Sequence, residues 1–113
     1  MNVQIFGRKK SFDTEKAKRF FKERKIPFQY IDLGEKGFSK GELTKIAAAV
    51  GGLDQLIDPK TKDQDAYHLF LHLASEQRLQ KALEHPLLFR APVGRDGGRA
   101  TVGYQPDVWL TWL

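Results

Sequence analysis

An α/β fold built on a four-stranded mixed sheet is predicted by three observations. A strand–helix–strand unit opens the chain, a run of helices fills its middle, and two strands with a closing helix end it. Asn2 to Phe6 alternate with Val3 and Ile5 on one face, and Gly7 follows, which predicts a short strand running into a loop. The next element is helical: Ser11 or Asp13 can cap it, and Ala17, Phe20 and Phe21 form its apolar stripe before Lys25-Ile26-Pro27 ends it. Phe28 to Leu33 are aromatic and β-branched and give a second strand, closed by Gly34 and Gly37. Such a crossover joins parallel strands in a right-handed sense.

Ser39 and Glu42 form a Ser-x-x-Glu capping box ahead of Leu43, Ile46, Ala47 and Val50, and Gly51-Gly52 stops that helix. Leu53 to Ile57 predict a helical turn. Gln64 to Leu73 form a helix with Tyr67, Phe70, Leu71 and Leu73 on a broad apolar face, and Ser75 to Glu84 form another. His85-Pro86 breaks it. Leu87 to Phe89 and Ala100 to Tyr104 then read as two strands of a hairpin around a Gly94 to Gly98 loop, and Pro106 to Leu113 as a closing helix. Trp109 and Leu113, at i and i+4, are expected to pack that helix on the sheet; the alternative is an exposed contact patch of Val108, Trp109, Trp112 and Leu113. This order of elements is the thioredoxin-like arrangement, with flanking helices and an inserted helical block at about 39–84, in a single domain over 1–113.

The 113 residues suffice for one core, and there is no repeat or linker to separate a second domain. There is no cysteine, which excludes thiol nucleophiles, disulfides, iron–sulfur clusters and thiolate zinc sites. The opening residues lack a signal-peptide layout and the apolar run Ile46 to Val50 is too short to span a bilayer, so a cytoplasmic protein without membrane contact is expected. The net charge of +5 is concentrated at the front, where residues 1–25 hold nine Lys or Arg against three Asp or Glu. Such a segment attracts anions or acidic partners, or simply forms a solvated helix face.

Several ordered features resemble one family. They are Val3-Gln4-Ile5-Phe6-Gly7, the loop to Ser11, Lys16-Ala17, Ile26-Pro27 before Tyr30-Ile31-Asp32, the run His85 to Val93, and Val102-Gly103-Tyr104. Together they look like the arsenate reductase (ArsC)/Spx family of thioredoxin-fold proteins. The resemblance implies a reactive Cys at the end of the first loop, where this chain has Ser11, and a second Cys or Ser three residues on, where it has Thr14. The family's Pro and Arg flanking that Cys fall at Lys9 and Glu15, and its Arg before the usual cis-proline falls at Ala91, with Arg90 one step earlier. A second family Arg falls at Lys60, and a third, found in one branch, at Gly103. By resemblance, Ala91-Pro92 is expected to be cis.

Serine cannot form the arsenic–sulfur adduct or the disulfide of the family reaction, and no histidine lies near Ser11 in sequence to activate it. The expectation is a cysteine-less pseudoenzyme without a catalytic residue or cofactor. It would serve as a protein-interaction or regulatory module, by resemblance to Spx-type members that bind RNA polymerase. The alternative is an arsenate-reductase-like, glutaredoxin-related protein or enzyme that holds an oxyanion or phosphate at the Ser11 loop, with Arg8, Lys9, Lys10, Ser11, Lys60 and Arg90 as candidate ligands. Against it stands plain helix capping by Ser11.

Asp65, His68 and His72 share one helix face, but only His85 is left to complete a shell, so no metal is expected. Lys16, Lys18, Arg19, Lys22, Arg24 and Lys25 make the first helix basic. Its aromatics belong to the core stripe and cannot stack on bases, so sequence-specific nucleic-acid binding is not expected.

Overall fold

Val3, Ile5 and Phe6 are almost completely buried, which places the first strand, β1 (Val3–Gly7), at the centre of the sheet. The computed structural model describes residues 1–113. Helix α1 (Phe12–Glu23) returns the chain to β2 (Phe28–Asp32), which pairs parallel to β1 with Val3 opposite Phe28 and Gly7 opposite Asp32. Helices α2 (Lys40–Val50), α3 (Gln64–Leu71) and α4 (Ser75–Glu84) follow, with a 3-10 turn at Leu53–Leu56. A second 3-10 turn at Pro86–Leu88 leads to β3 (Val93–Asp96), β4 (Arg99–Val102) and α5 (Pro106–Leu110). The sheet order is β2-β1-β3-β4, with β3 antiparallel to both neighbours.

Alternation along β1 divides the interior into two layers. Val3 and Ile5 meet Ala17, Phe20 and Phe21 of α1 together with Trp109 and Trp112. Phe6 faces the other way, into a larger cluster that includes Ile31, Leu43, Ile46, Phe70 and Phe89. The helical block therefore covers one face of the sheet, and α1 with α5 covers the other. Two caps predicted from sequence are present: Ser11 accepts from the Thr14 amide at 3.2 Å, and the Ser39–Glu42 box is complete in both directions. Gly51 ends α2 in the left-handed region at φ 94°, a conformation that favours glycine.

Three expectations are corrected. Leu87 to Phe89 are not a hairpin strand: Pro86 starts a 3-10 turn there, and only an isolated bridge joins Phe89 to Ile57. The hairpin is β3–β4 closed by Gly97-Gly98, so the supposed loop supplies the strand Val93–Asp96. Gly94 belongs in that strand because a Cβ there would meet Thr101 Oγ1 at 2.9 Å and Trp109 Nε1 at 3.2 Å. Leu71 is 46% exposed, off the buried face that Ala66 and Phe70 define. Leu113 is 56% exposed, while Trp112 is 5% exposed. The reason is that α5 ends at Leu110: the Trp112 amide donates to the Trp109 carbonyl at 3.0 Å, and this tighter turn brings Trp112 under the sheet.

Candidate functional site

Two parallel strands that end side by side leave a crevice beyond their carboxyl ends, the usual place for a site in open α/β sheets. Here β1 ends at Gly7 and β2 at Asp32, opposite each other, and α1 starts just beyond. The connecting loop is Arg8-Lys9-Lys10, with Lys10 at φ 65° and Ser11 as the helix cap. Thr14, fully buried in the first turn of α1, accepts from the Arg8 amide at 3.4 Å. The loop can lie this close because residue 7 is glycine: a Cβ there would overlap Thr14 Cγ2 and sit 2.8 Å from Thr14 Oγ1.

The resulting cleft has a volume of about 500 Å³. Five cations face it, Arg8, Lys9, Lys10, Lys60 and Lys62, with Ser11 and Thr61 between them. Three carboxylates, Asp32, Glu35 and Asp58, share the same walls. Arg8 is committed to the protein itself. Its Nη1 donates to the carbonyls of Phe89 at 3.0 Å and Leu87 at 3.2 Å, and its Nη2 lies 3.9 Å from Asp58. Lys9 pairs with Glu35 at 3.7 Å. Thr61 Oγ1 donates to the Leu87 carbonyl at 2.6 Å, which ties the far wall to the same segment. The positive charge left for a visitor therefore sits on Lys10, Lys60 and Lys62. Outside the cleft, where Tyr30 of β2 packs on the α1 layer, burial and then the Asp32, Glu15 and Glu35 carboxylates raise its phenol above the ordinary value.

Five of the six candidate ligands meet in this cleft; Arg90 does not. It follows the buried Phe89 in an extended segment, where successive side chains point to opposite sides, and it lines a separate groove beside β4. Lys62, Thr61, Asp58, Asp32 and Glu35 were absent from the sequence-derived set. Only folding brings 58–62 against the first loop, and no local spacing signals it. The Ala91-Pro92 peptide is cis. His68 on α3 and His72 just past its end are exposed, His85 faces Asp63 at 3.6 Å, and no three His, Asp or Glu side chains converge on one point. On α1, Phe20 and Phe21 are buried, while Lys18 and Arg24 lie over the rings of Tyr30 and Phe20 at 4.4 and 3.8 Å.

A mixed sheet in the order β2-β1-β3-β4 with a helix starting at the crevice defines a thioredoxin-like α/β protein. Solved structures agree. An arsenate reductase from Vibrio cholerae superposes with a TM-score of 0.84 at 22% identity, covering 100% of this chain and 98% of that one. An arsenate reductase (ArsC) related protein from Brucella melitensis does so with a TM-score of 0.65 at 19% identity, covering 99% and 94%. In sequence, the chain is 29% identical to the global transcriptional regulator Spx 2 of Oceanobacillus iheyensis over 127 aligned positions, spanning 99% of this chain and 93% of that protein. No family model matches the sequence. The chain has an ArsC/Spx-like thioredoxin fold, and it carries no cysteine.

Proposed function

We propose that this protein is a non-catalytic regulator that works by binding another protein, with RNA polymerase as the partner implied by its likeness to Spx-type proteins. The observation that carries this reading is the absence of any cysteine from a chain that resembles a transcriptional regulator along its whole length. Reduction of arsenate in this fold needs a thiolate that attacks the oxyanion with loss of water, and a second thiol that attacks the sulfur of the resulting arsenic–sulfur adduct, so that a disulfide forms and arsenite leaves with the electron pair. Ser11, at the corresponding corner, offers a hydroxyl with a proton bound far more tightly, and that hydroxyl donates to no carboxylate or histidine. Its oxygen is occupied as the cap of α1. A cytoplasmic location fits such a role. Two assays test it together. Purified protein should reduce no arsenate with glutathione or thioredoxin as reductant, and it should retain RNA polymerase in a pull-down. Turnover would remove the pseudoenzyme reading; failure to retain any polymerase subunit would remove the partner.

A second reading, binding of a phosphate-like oxyanion, is favoured by one observation: Lys10, Lys60 and Lys62 face the Ser11 end of α1 without a carboxylate partner of their own. Amide protons at a helix start, with cations around them, suit an anion. Titration with inorganic phosphate should shift the amide resonances of residues 11–14, and added salt should weaken the effect. Unmoved resonances would discard this reading.

A further inference from the structure

The outer edge of β4 is a row of backbone groups whose directions follow from the hairpin register. The Gly103 amide donates to the Pro92 carbonyl at 2.8 Å, so Pro92 and Gly103 form a hydrogen-bonded pair. Hydrogen-bonded and non-hydrogen-bonded pairs alternate along an antiparallel ladder. Gly94–Thr101 and Asp96–Arg99 are then bonded inward, and Ala100 and Val102 turn their N–H and C=O groups away from β3. No strand lies beyond β4. One of the four outward groups is already satisfied, since Gln105 Nε2 donates to the Val102 carbonyl at 3.1 Å. Three remain open.

An open groove of about 490 Å³ runs along this edge. Val50 and Arg90 wall it on the side of α2, Val108 on the side of α5, and no acidic side chain lines it. Arg90 engages the protein only through its backbone, where its amide donates to the Leu56 carbonyl at 2.7 Å; its guanidinium pairs with no carboxylate. We infer that the β4 edge, with Arg90 beside it, is a docking site for an extended acidic peptide segment of another protein, which adds as a fifth strand. Backbone pairing would supply the affinity. Side chains of the added strand would alternate between the two walls, so that a carboxylate meets Arg90 while its apolar neighbours meet Val108. The free edge, the unpaired cation and the acid-free lining all call for that occupant. The inference stands on this edge alone and is independent of polymerase binding and of the cleft.

The test uses the full chain and a labelled hexapeptide with valine at alternate positions and one glutamate between them. Binding should shift the Ala100 and Val102 amide resonances and slow their hydrogen exchange. Arg90→Glu, an exposed change that leaves the sheet intact, should weaken binding by about tenfold, the order expected for turning an exposed attraction into a repulsion. The same peptide with lysine in place of glutamate should bind that variant better than the parent. Ala100→Pro removes an outward donor without touching the ladder to β3 and should also weaken binding. Any of three results overturns the inference: no shift at Ala100 and Val102, shifts confined to another surface, or protection of those amides by self-association without peptide, which would make a second copy the occupant.

Discussion

Arg8 and Phe89 are joined across 81 positions of sequence by a hydrogen bond of 3.0 Å from the guanidinium to the carbonyl. The same Arg8 donates to the Leu87 carbonyl, so the loop after β1 and the segment before Pro92 are held together by one side chain. Its charge is thus mostly structural. Replacing Arg8 with alanine should lower stability by about 1–3 kcal/mol, the range for hydrogen bonds to a charged group, reduced where solvent reaches it. Urea unfolding followed by circular dichroism measures this, and an unchanged midpoint would contradict it. Lys10→Ala, at an exposed position, should leave the midpoint nearly unmoved while weakening any phosphate response.

Thr101 and Trp109 offer a second measurable link. The indole Nε1 donates to Thr101 Oγ1 at 2.9 Å, with both residues buried. Thr101→Val keeps the shape and strands the indole proton, at a cost of about 1–3 kcal/mol. Thr101→Ser retains the acceptor and should recover much of the loss. A valine variant as stable as the parent would show that this bond contributes little.

Asp96 predicts a pH dependence. The Asn2 amide donates to it at 3.0 Å and Arg99 at 2.6 Å, and these bonds, together with the charges of Arg99 and the amino terminus, hold its carboxyl below the ordinary range against an opposing effect of burial. A folded value below the unfolded one means that the stability it adds is complete above the ordinary carboxylate value of about 4 and is lost as pH falls through the depressed value. Asp96→Asn should therefore be less stable than the parent at neutral pH, with the gap closing in acid. Parallel loss at every pH would remove the carboxylate from the explanation.

Ser11→Cys tests what the corner of the cleft does to an ionisable group. The amides at the start of α1 and the surrounding lysines favour an anion, so the introduced thiol should titrate below the ordinary value of about 8.5. Alkylation rates measured against pH give the value directly. A thiol at or above that value would mean that Asp32, Glu35 and Asp58 cancel the cations.

Much of this fold is written locally. The alternation of Val3 and Ile5, the stripe Ala17-Phe20-Phe21 and the Ser39–Glu42 box each lie within a few residues, and the matching elements are present. Gly94 misleads, because its reason for being glycine is the close approach of Thr101 and Trp109, which reach it only after folding. Arg90 misleads for a different reason: in an extended chain one position decides the side, and it follows the inward-facing Phe89. The cleft was legible in its first loop and, through the family resemblance alone, at Lys60. Its opposite wall, 58–62, gains its place through long-range bonds such as Thr61 to Leu87.

Both tryptophans sit in the same layer, packed with Phe20 and Phe21 beneath one face of the sheet. The layer on the other face contains neither. Intrinsic emission will therefore report on the smaller layer of the interior and stay dark to the larger one. If the helical block loosens first on heating, a fluorimeter will record nothing until the α1 side gives way.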